Sequence, residues 1–320
     1  MDPIVALSRE RIEKGSRSFA VAARLFPPDV RDSATMLYAW CRHCDDVIDD
    51  QVLGEGGGAI DATAGAKLAQ LRAQTVEALA GRAGEPVFVG LHRVASKHGI
   101  PERLPLDLLE GMAMDVRGQA YATLDDTLRY AYHVAGCVGL MMAMIMGVRE
   151  RAVLQRACDL GIAFQLTNIV RDVMGDAAVA RIYLPADLLA AQGLAPADVG
   201  APQNRAGVLR VGLQLLDAAD GYYASAGEGI AHLPFRCACA VAAARRIYRG
   251  IGAVVRARGV AAWDSRARTS KAAVAAGLAA AGVEAATAIA LRGWRSPASR
   301  EGLWTPVHLR AEACRAAGAA

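Results

Sequence analysis

A stretch that reads as buried helix, ATMLYAW (34–40), runs directly into CRHCDDVIDD (41–50), which holds four aspartates within six positions. Isolated buried carboxylates cost several kcal/mol each, so they must reach water, find cationic partners or hold a metal. At 100° per residue, Tyr38, Arg42, Asp45 and Asp49 fall within a stripe roughly 60° wide. Asp46 and Asp50 form a second pair, turned away from the first. On this stretch alone, a solvated acidic helix end remains open.

A second helix narrows the choice. LGIAFQLTNIVRDVMGDAAVARIYLP (160–185) begins as apolar core and then presents Gln165, Asn168, Asp172 and Asp176 within a stripe of roughly 80°. Polar groups on one side of an apolar helix are costly unless they share a task. Two such helices face to face would enclose a cavity with two carboxylate rims. Hard oxygen donors at that density suit Mg²⁺, which binds through one or two carboxylates plus substrate phosphates.

The rest of the chain is written in helical periods separated by Pro and Gly clusters. We expect helices at 3–15, 30–50, 64–80, 86–98, 105–117, 124–146, 150–176, 185–191, 204–225, 235–258 and 268–290. Breaks fall at FPPD, GEGGG, GRAGEP, HGIPERLP and LAPADVGAPQN. No long linker or repeat interrupts them, so we expect one all-α domain over 1–291, followed by an Ala-rich tail (292–320) of unspecified structure. Residues 51–63 read as a mobile loop. With 54% hydrophobic but 5% aromatic residues, the 320-residue chain can fill a large core, chiefly with Ala, Leu and Val.

The net charge of +4 is too small to indicate nucleic-acid binding, though it is compatible with an anionic membrane surface. The N-terminus does not read as a signal peptide, and seven scattered cysteines suit a reducing compartment, so we expect a cytoplasmic chain. Cys41, Cys44, Cys237 and Cys239 have poor zinc spacing and read as small buried hydrophobes. Residues 134–148 are too short to span a bilayer. Residues 272–291 are long enough, but they are mostly Ala and Gly and contain Glu284.

YAYHVAGCVG (130–139), the 160–185 segment, and SRSFAVAARLFPP with LYAWCRHCDDVIDD together resemble the squalene and phytoene synthase family, most closely its bacterial phytoene-forming branch. The resemblance covers about residues 8–275. It implies a single-domain isoprenoid synthase fold, with helices around a central apolar channel. The implied reaction is head-to-head condensation of two geranylgeranyl diphosphates to phytoene, through a cyclopropyl (prephytoene) diphosphate. By motif, Asp45 and Asp49 would hold Mg²⁺ (or Mn²⁺) and diphosphate on one rim, and Asp172, Asp176 and Asn168 on the other. Tyr38, Arg42, Gln165, Arg171 and Tyr248 would bind substrate or line the site. Ser18 and Phe19 would close over the substrate, and Tyr130 would guide proton and cation chemistry. The family often has an acidic residue where Gly175 stands here.

Chain-elongating synthases and terpene cyclases would carry a second motif unlike NIVRDVMGD. A reducing squalene synthase would need NADPH, and GEGGG lacks the strand, turn and helix context of a dinucleotide site. No NADPH is therefore expected. Farnesyl diphosphate-using dehydrosqualene, hydroxysqualene or squalene synthesis remains an alternative, as does a non-catalytic assembly or binding relative. Peripheral membrane contact is expected from the lipid substrates, and the oligomeric state is not legible.

Overall fold

The computed structural model describes residues 2–15, 23–49, 62–294 and 298–310, and among these there is no β-strand. Thirteen α-helices run along the described chain: α1 (Pro3–Gly15), α2 (Pro28–Asp49), α3 (Ala64–Leu79), α4 (Pro86–His98), α5 (Arg103–Val116), α6 (Leu124–Ala131), α7 (Cys137–Ile145), α8 (Arg151–Ala178), α9 (Ala186–Ala190), α10 (Arg205–Gly229), α11 (Phe235–Arg258), α12 (Lys271–Ala290) and α13 (Val307–Arg310). The expected helices are all present, with ends displaced by a few residues. The 124–146 expectation resolves into α6 and α7, joined by a turn of π-helix at Tyr132–Gly136.

Helix α8 is the axis of the molecule. Its 28 residues extend about 42 Å at 1.5 Å per residue, and it packs against α7, α10 and α11. Val153, Cys158, Ile162, Leu166, Ile169, Val170 and Val173 form its buried face. Helix α2 starts with Pro28, whose fixed φ and missing N–H suit a first turn, and buries Val30, Ala34, Leu37, Trp40, Cys44 and Ile48 at three- and four-residue spacing.

The α7 and α8 backbones meet through glycine. A Cβ on Gly139 would lie 2.4 Å from the Ala157 carbonyl oxygen, and one on Gly161 would lie 2.3 Å from that of Ala135. The π turn lies beside this crossing and supplies Ala135.

The segment 298–310 packs against the helices. Arg300 makes a two-pronged salt bridge to Asp159, at 2.7 and 2.6 Å, and the Asp159 carboxylate also accepts from Ser225 Oγ. Arg156 donates to Ser225 Oγ and to the Ala298 carbonyl, both at 2.8 Å, while the Trp304 N–H donates to Tyr222 Oη at 2.9 Å. Asp159 is wholly buried, so the segment supplies its counter-charge.

Candidate active site

Between α2, α7, α8 and α11 lies a cavity of about 370 Å³. Helix α8 contributes Val153, Arg156, Ala157, Leu160, Gly161, Phe164, Gln165 and Asn168, at alternating steps of three and one. That spacing marks one continuous helix face. Tyr38, Gln165, Asn168 and Tyr248 provide polar groups at the end nearest the aspartates, while Met142, Met146, Val138, Ile230 and Leu233 line the remainder. The methionine-rich α7 thus divides: Met142, with Met146 just past the helix end, faces the cavity, whereas Met141 is fully buried in the core. Tyr248 stacks on Phe164 with centroids 4.2 Å apart.

The expected first rim lies at the end of α2. Asp45 is 3.9 Å from Arg42, and 44% of its side chain remains open to solvent. Desolvation of the part packed against protein, opposed by Arg42 and reinforced by the charges of Asp49 and Asp46, pushes its carboxyl up to about 7. Asp49 instead accepts from Arg181 at 2.5 Å. That bond bridges the two rims, because Arg181 follows the end of α8.

Its position depends on Ala180, the only non-glycine with positive φ (60°) among the described residues. The Arg181 N–H closes the helix end on the Asp176 carbonyl at 2.9 Å. This left-handed reversal is usually made by glycine.

On the second rim, Asp172 is clamped by Arg171 and by Arg266, the latter at 3.0 and 2.9 Å. Burial would raise its pKa, but hydrogen bonds from these two guanidiniums hold it below the ordinary range. Asp176 has no such clamp. Burial and the charge of Asp172 push it up to about 7 against the pull of Arg181 and Arg171.

Behind the rims, Asp115 accepts from Tyr130 Oη and Tyr183 Oη, each at 2.9 Å. The two tyrosine rings stack 4.6 Å apart, and Tyr121 packs edgewise on Tyr130. Burial raises Asp115 to about 6 despite Arg181 and both phenols.

Tyr38, Arg42, Asp45, Asp49, Gln165, Asn168, Arg171, Asp172, Asp176 and Tyr248 therefore lie on the cavity wall or its acidic rims. Tyr130 sits behind Asp115. Ser18 and Phe19 lie outside the described residues. Sequence reasoning did not single out Asp115, Arg181, Tyr183 or Arg266.

Among the described residues, no three His, Cys, Asp or Glu side chains converge as a ready-made metal cage. The donor set nevertheless fits Mg²⁺ held partly by substrate phosphates. Asp45 and Asp176 are short of cationic compensation, and Asn168 Oδ1 is a buried acceptor without a hydrogen bond.

The Squalene/phytoene synthase family profile matches residues 12–273, and the chain belongs to that family. It is 52% identical over 312 residues to a 15-cis-phytoene synthase from a Paracoccus strain, covering 96% of this chain and 99% of that one. A phytoene synthase from Pseudescherichia vulneris is 52% identical over 271 residues, covering 84% of this chain and 88% of the relative. The fold matches a crystal structure of a dehydrosqualene synthase in complex with ligand, with a TM-score of 0.79, 28% identity, and coverage of 89% of this chain and 97% of that chain. A squalene synthase from Alicyclobacillus acidocaldarius superposes with a TM-score of 0.71 at 25% identity, over 80% of this chain and 94% of its own. These likenesses define an all-α isoprenoid synthase fold.

Proposed function

We propose that the chain is a prenyltransferase that condenses two geranylgeranyl diphosphates into phytoene, through a cyclopropyl (prephytoene) diphosphate and without a reductant. This would be the first committed step of carotenoid synthesis. The 52% identity to phytoene synthases carries the reading of chain length, and the cavity lining is long enough for it. From Val153 to Asn168 the lining stripe rises about 22 Å. An extended C20 prenyl chain spans roughly 20 Å and a C15 chain roughly 15 Å, from C–C bonds near 1.5 Å.

Asp45 and Asp49 on one rim, with Asn168, Asp172 and Asp176 on the other, are the proposed holders of Mg²⁺, with Mn²⁺ as the alternative. When bound, the metal supplies positive charge to the diphosphate as its C–O bond breaks. Arg42, Arg171, Arg181 and Arg266 bind the same diphosphate oxygens, exchanging carboxylate partners for phosphate.

The bonding pair departs with diphosphate, leaving an allylic cation. Attack by the second substrate's double bond, with loss of a proton, closes the cyclopropane. Loss of the second diphosphate, rearrangement and a final proton loss leave a central double bond, so no hydride is consumed. Phe164, Tyr248 and Tyr38 offer ring faces near the cation, and Val138, Met142 and Leu160 exclude water. Asp115 holds the Tyr130 and Tyr183 phenols in fixed directions for proton movement.

Lipid substrate and product also place the protein at a membrane surface, held peripherally. The decisive assay incubates the purified chain with C15 or C20 diphosphate, with Mg²⁺ or Mn²⁺, and with or without NADPH. Phytoene from the C20 substrate without NADPH is expected. A product formed only from farnesyl diphosphate, or only with NADPH, overturns the reading.

A further inference from the structure

Among the described residues, two helical stretches are long and apolar enough to cross a membrane, but they are packed differently. Leu124–Ile145 is 61% buried over its apolar window, as a core helix should be; Lys271–Ala290 (α12) is 11% buried. Ala272, Ala275, Ala276, Ala279, Val283, Ala286, Thr287 and Ala290 are all exposed, at helical spacing, and none is charged. A water-facing helix side ordinarily carries charged residues. Val283 is 69% exposed, and just beyond the helix Leu291 and Trp294 are 40% and 88% exposed.

The only acid in α12, Glu284, points into the protein and pairs with Arg245 at 2.7 Å and Arg246 at 2.5 Å. Lys271 and Arg292 stand at its two ends. Beside it, a groove of about 710 Å³ is lined by Ala273, Ala276 and Gly277 of α12, by Arg246, Arg249 and Arg256 of α11, and by Asp220, which accepts from Arg249 at 2.8 Å and from Arg256 at 3.2 Å. From Arg245 to Arg300 the chain carries eleven Lys and Arg against two acids, Asp264 and Glu284. Of these, Arg249 and Arg256 pair with Asp217 and Asp220, Arg266 with Asp172 and Arg300 with buried Asp159, while Arg258, Arg268, Lys271 and Arg292 are exposed. Since the whole chain totals +4, the remainder is net negative.

We infer that the outer face of α12, with Trp294 and the arginine-lined groove, docks flat on an anionic lipid bilayer. This rests on the proposed lipid-handling function and names the surface that performs it. The apolar stripe enters the headgroup boundary, Trp294 sits at the interface, and the long cationic side chains remain with the lipid phosphates. The inward Glu284 pairs and the buried Ala281 and Ala285 tie α12 to α11 and oppose its transfer into a spanning position. A second copy of the chain fits this face less well, since two-fold pairing would bring like-charged surfaces together.

The test uses the full chain and vesicles of phosphatidylglycerol mixed with phosphatidylcholine, against phosphatidylcholine alone. Co-sedimentation should be about tenfold stronger on the anionic vesicles and weaken in high salt. Ala279→Glu combined with Val283→Glu should reduce vesicle binding about tenfold or more, with synthesis from detergent-dispersed C20 diphosphate unchanged. Trp294→Phe should remove the lipid-induced blue shift of tryptophan emission. Unchanged vesicle binding by the double variant overturns the proposal. So does resistance to carbonate extraction, which would mean a span, or a dimer that the double variant converts to monomer while vesicle binding persists. Absence of hydrocarbon from detergent-dispersed substrate would count against the synthase reading alone, because vesicle binding is measured without turnover.

Discussion

Helix α8 carries two carboxylates thirteen residues apart that meet opposite fates. Asp159 is wholly buried, yet its oxygens are occupied by Arg300 and Ser225. Asp172 is also paired, but its guanidiniums share a cleft with Asp176 and Asp45, which remain under-compensated. A carboxylate with every acceptor filled ties structure together. A group of carboxylates with too few cations is set to receive one.

Breaking the tie should have the largest effect. Arg300→Met leaves Asp159 charged and unpaired in the core, so unfolding free energy should fall by about 3–5 kcal/mol in denaturant titrations. Activity per folded molecule should persist, because the rims are distant. Undiminished stability would show that the two ends of α8 do not differ as described.

At the other end, Asp176→Asn should cost about two to three orders of magnitude in turnover while the melting temperature holds or rises. Asp45→Asn, Asp49→Asn and Asp172→Asn should also lose turnover. Near-normal activity in Asp172→Asn would remove the two-rim arrangement.

A pH series sharpens the same contrast. Asp45, Asp115 and Asp176 stand above their ordinary 3.8, at about 7, 6 and 7, so the native state binds protons more tightly than the unfolded chain. Their stabilising contribution is fully present below 3.8 and is lost as pH rises through 6 to 7. Asp172 has the opposite sign: its contribution is present above 3.8 and lost only in stronger acid. Without metal, the melting temperature should therefore fall between about pH 5 and pH 8, and Mg²⁺ should raise it more at the higher pH. Equal Mg²⁺ stabilisation at both would count against carboxylate binding.

The smallest effect concerns the phenols. Tyr183→Phe removes one of two donors to Asp115, and about a fivefold to tenfold loss of turnover is expected, the net worth of an ordinary hydrogen bond. The accompanying pH–rate profile should shift upward, since Asp115 loses a bond that favours its ionised form.

Much of this arrangement is legible in the sequence because it follows helical period. The two acidic stripes each lie within one helix, so spacing alone places Asp45 with Asp49 and Asp172 with Asp176. Arg181 is different. It lies beyond the helix end, and its reach to Asp49 depends on the left-handed turn at Ala180, which an alanine does not advertise. Asp115 is a single acid at the end of α5, whose phenol partners lie 15 and 68 residues away. Arg266 meets Asp172 across 94 residues. Such contacts are products of tertiary packing, without a local period to reveal them. The same holds for 298–310, where nothing in the local sequence marks Arg300 as the partner of an aspartate 141 residues earlier.

That arginine also sets an order of events during synthesis. Asp159 is made 141 residues before Arg300, the cation that neutralises it. At about 5–20 residues per second, the ribosome needs roughly 7 to 28 seconds to supply the missing partner. Until then, closing the helices around Asp159 would bury a bare charge, so the nascent chain has reason to keep that end of α8 open. The final locking of the bundle is thereby delayed until nearly all of the chain has emerged.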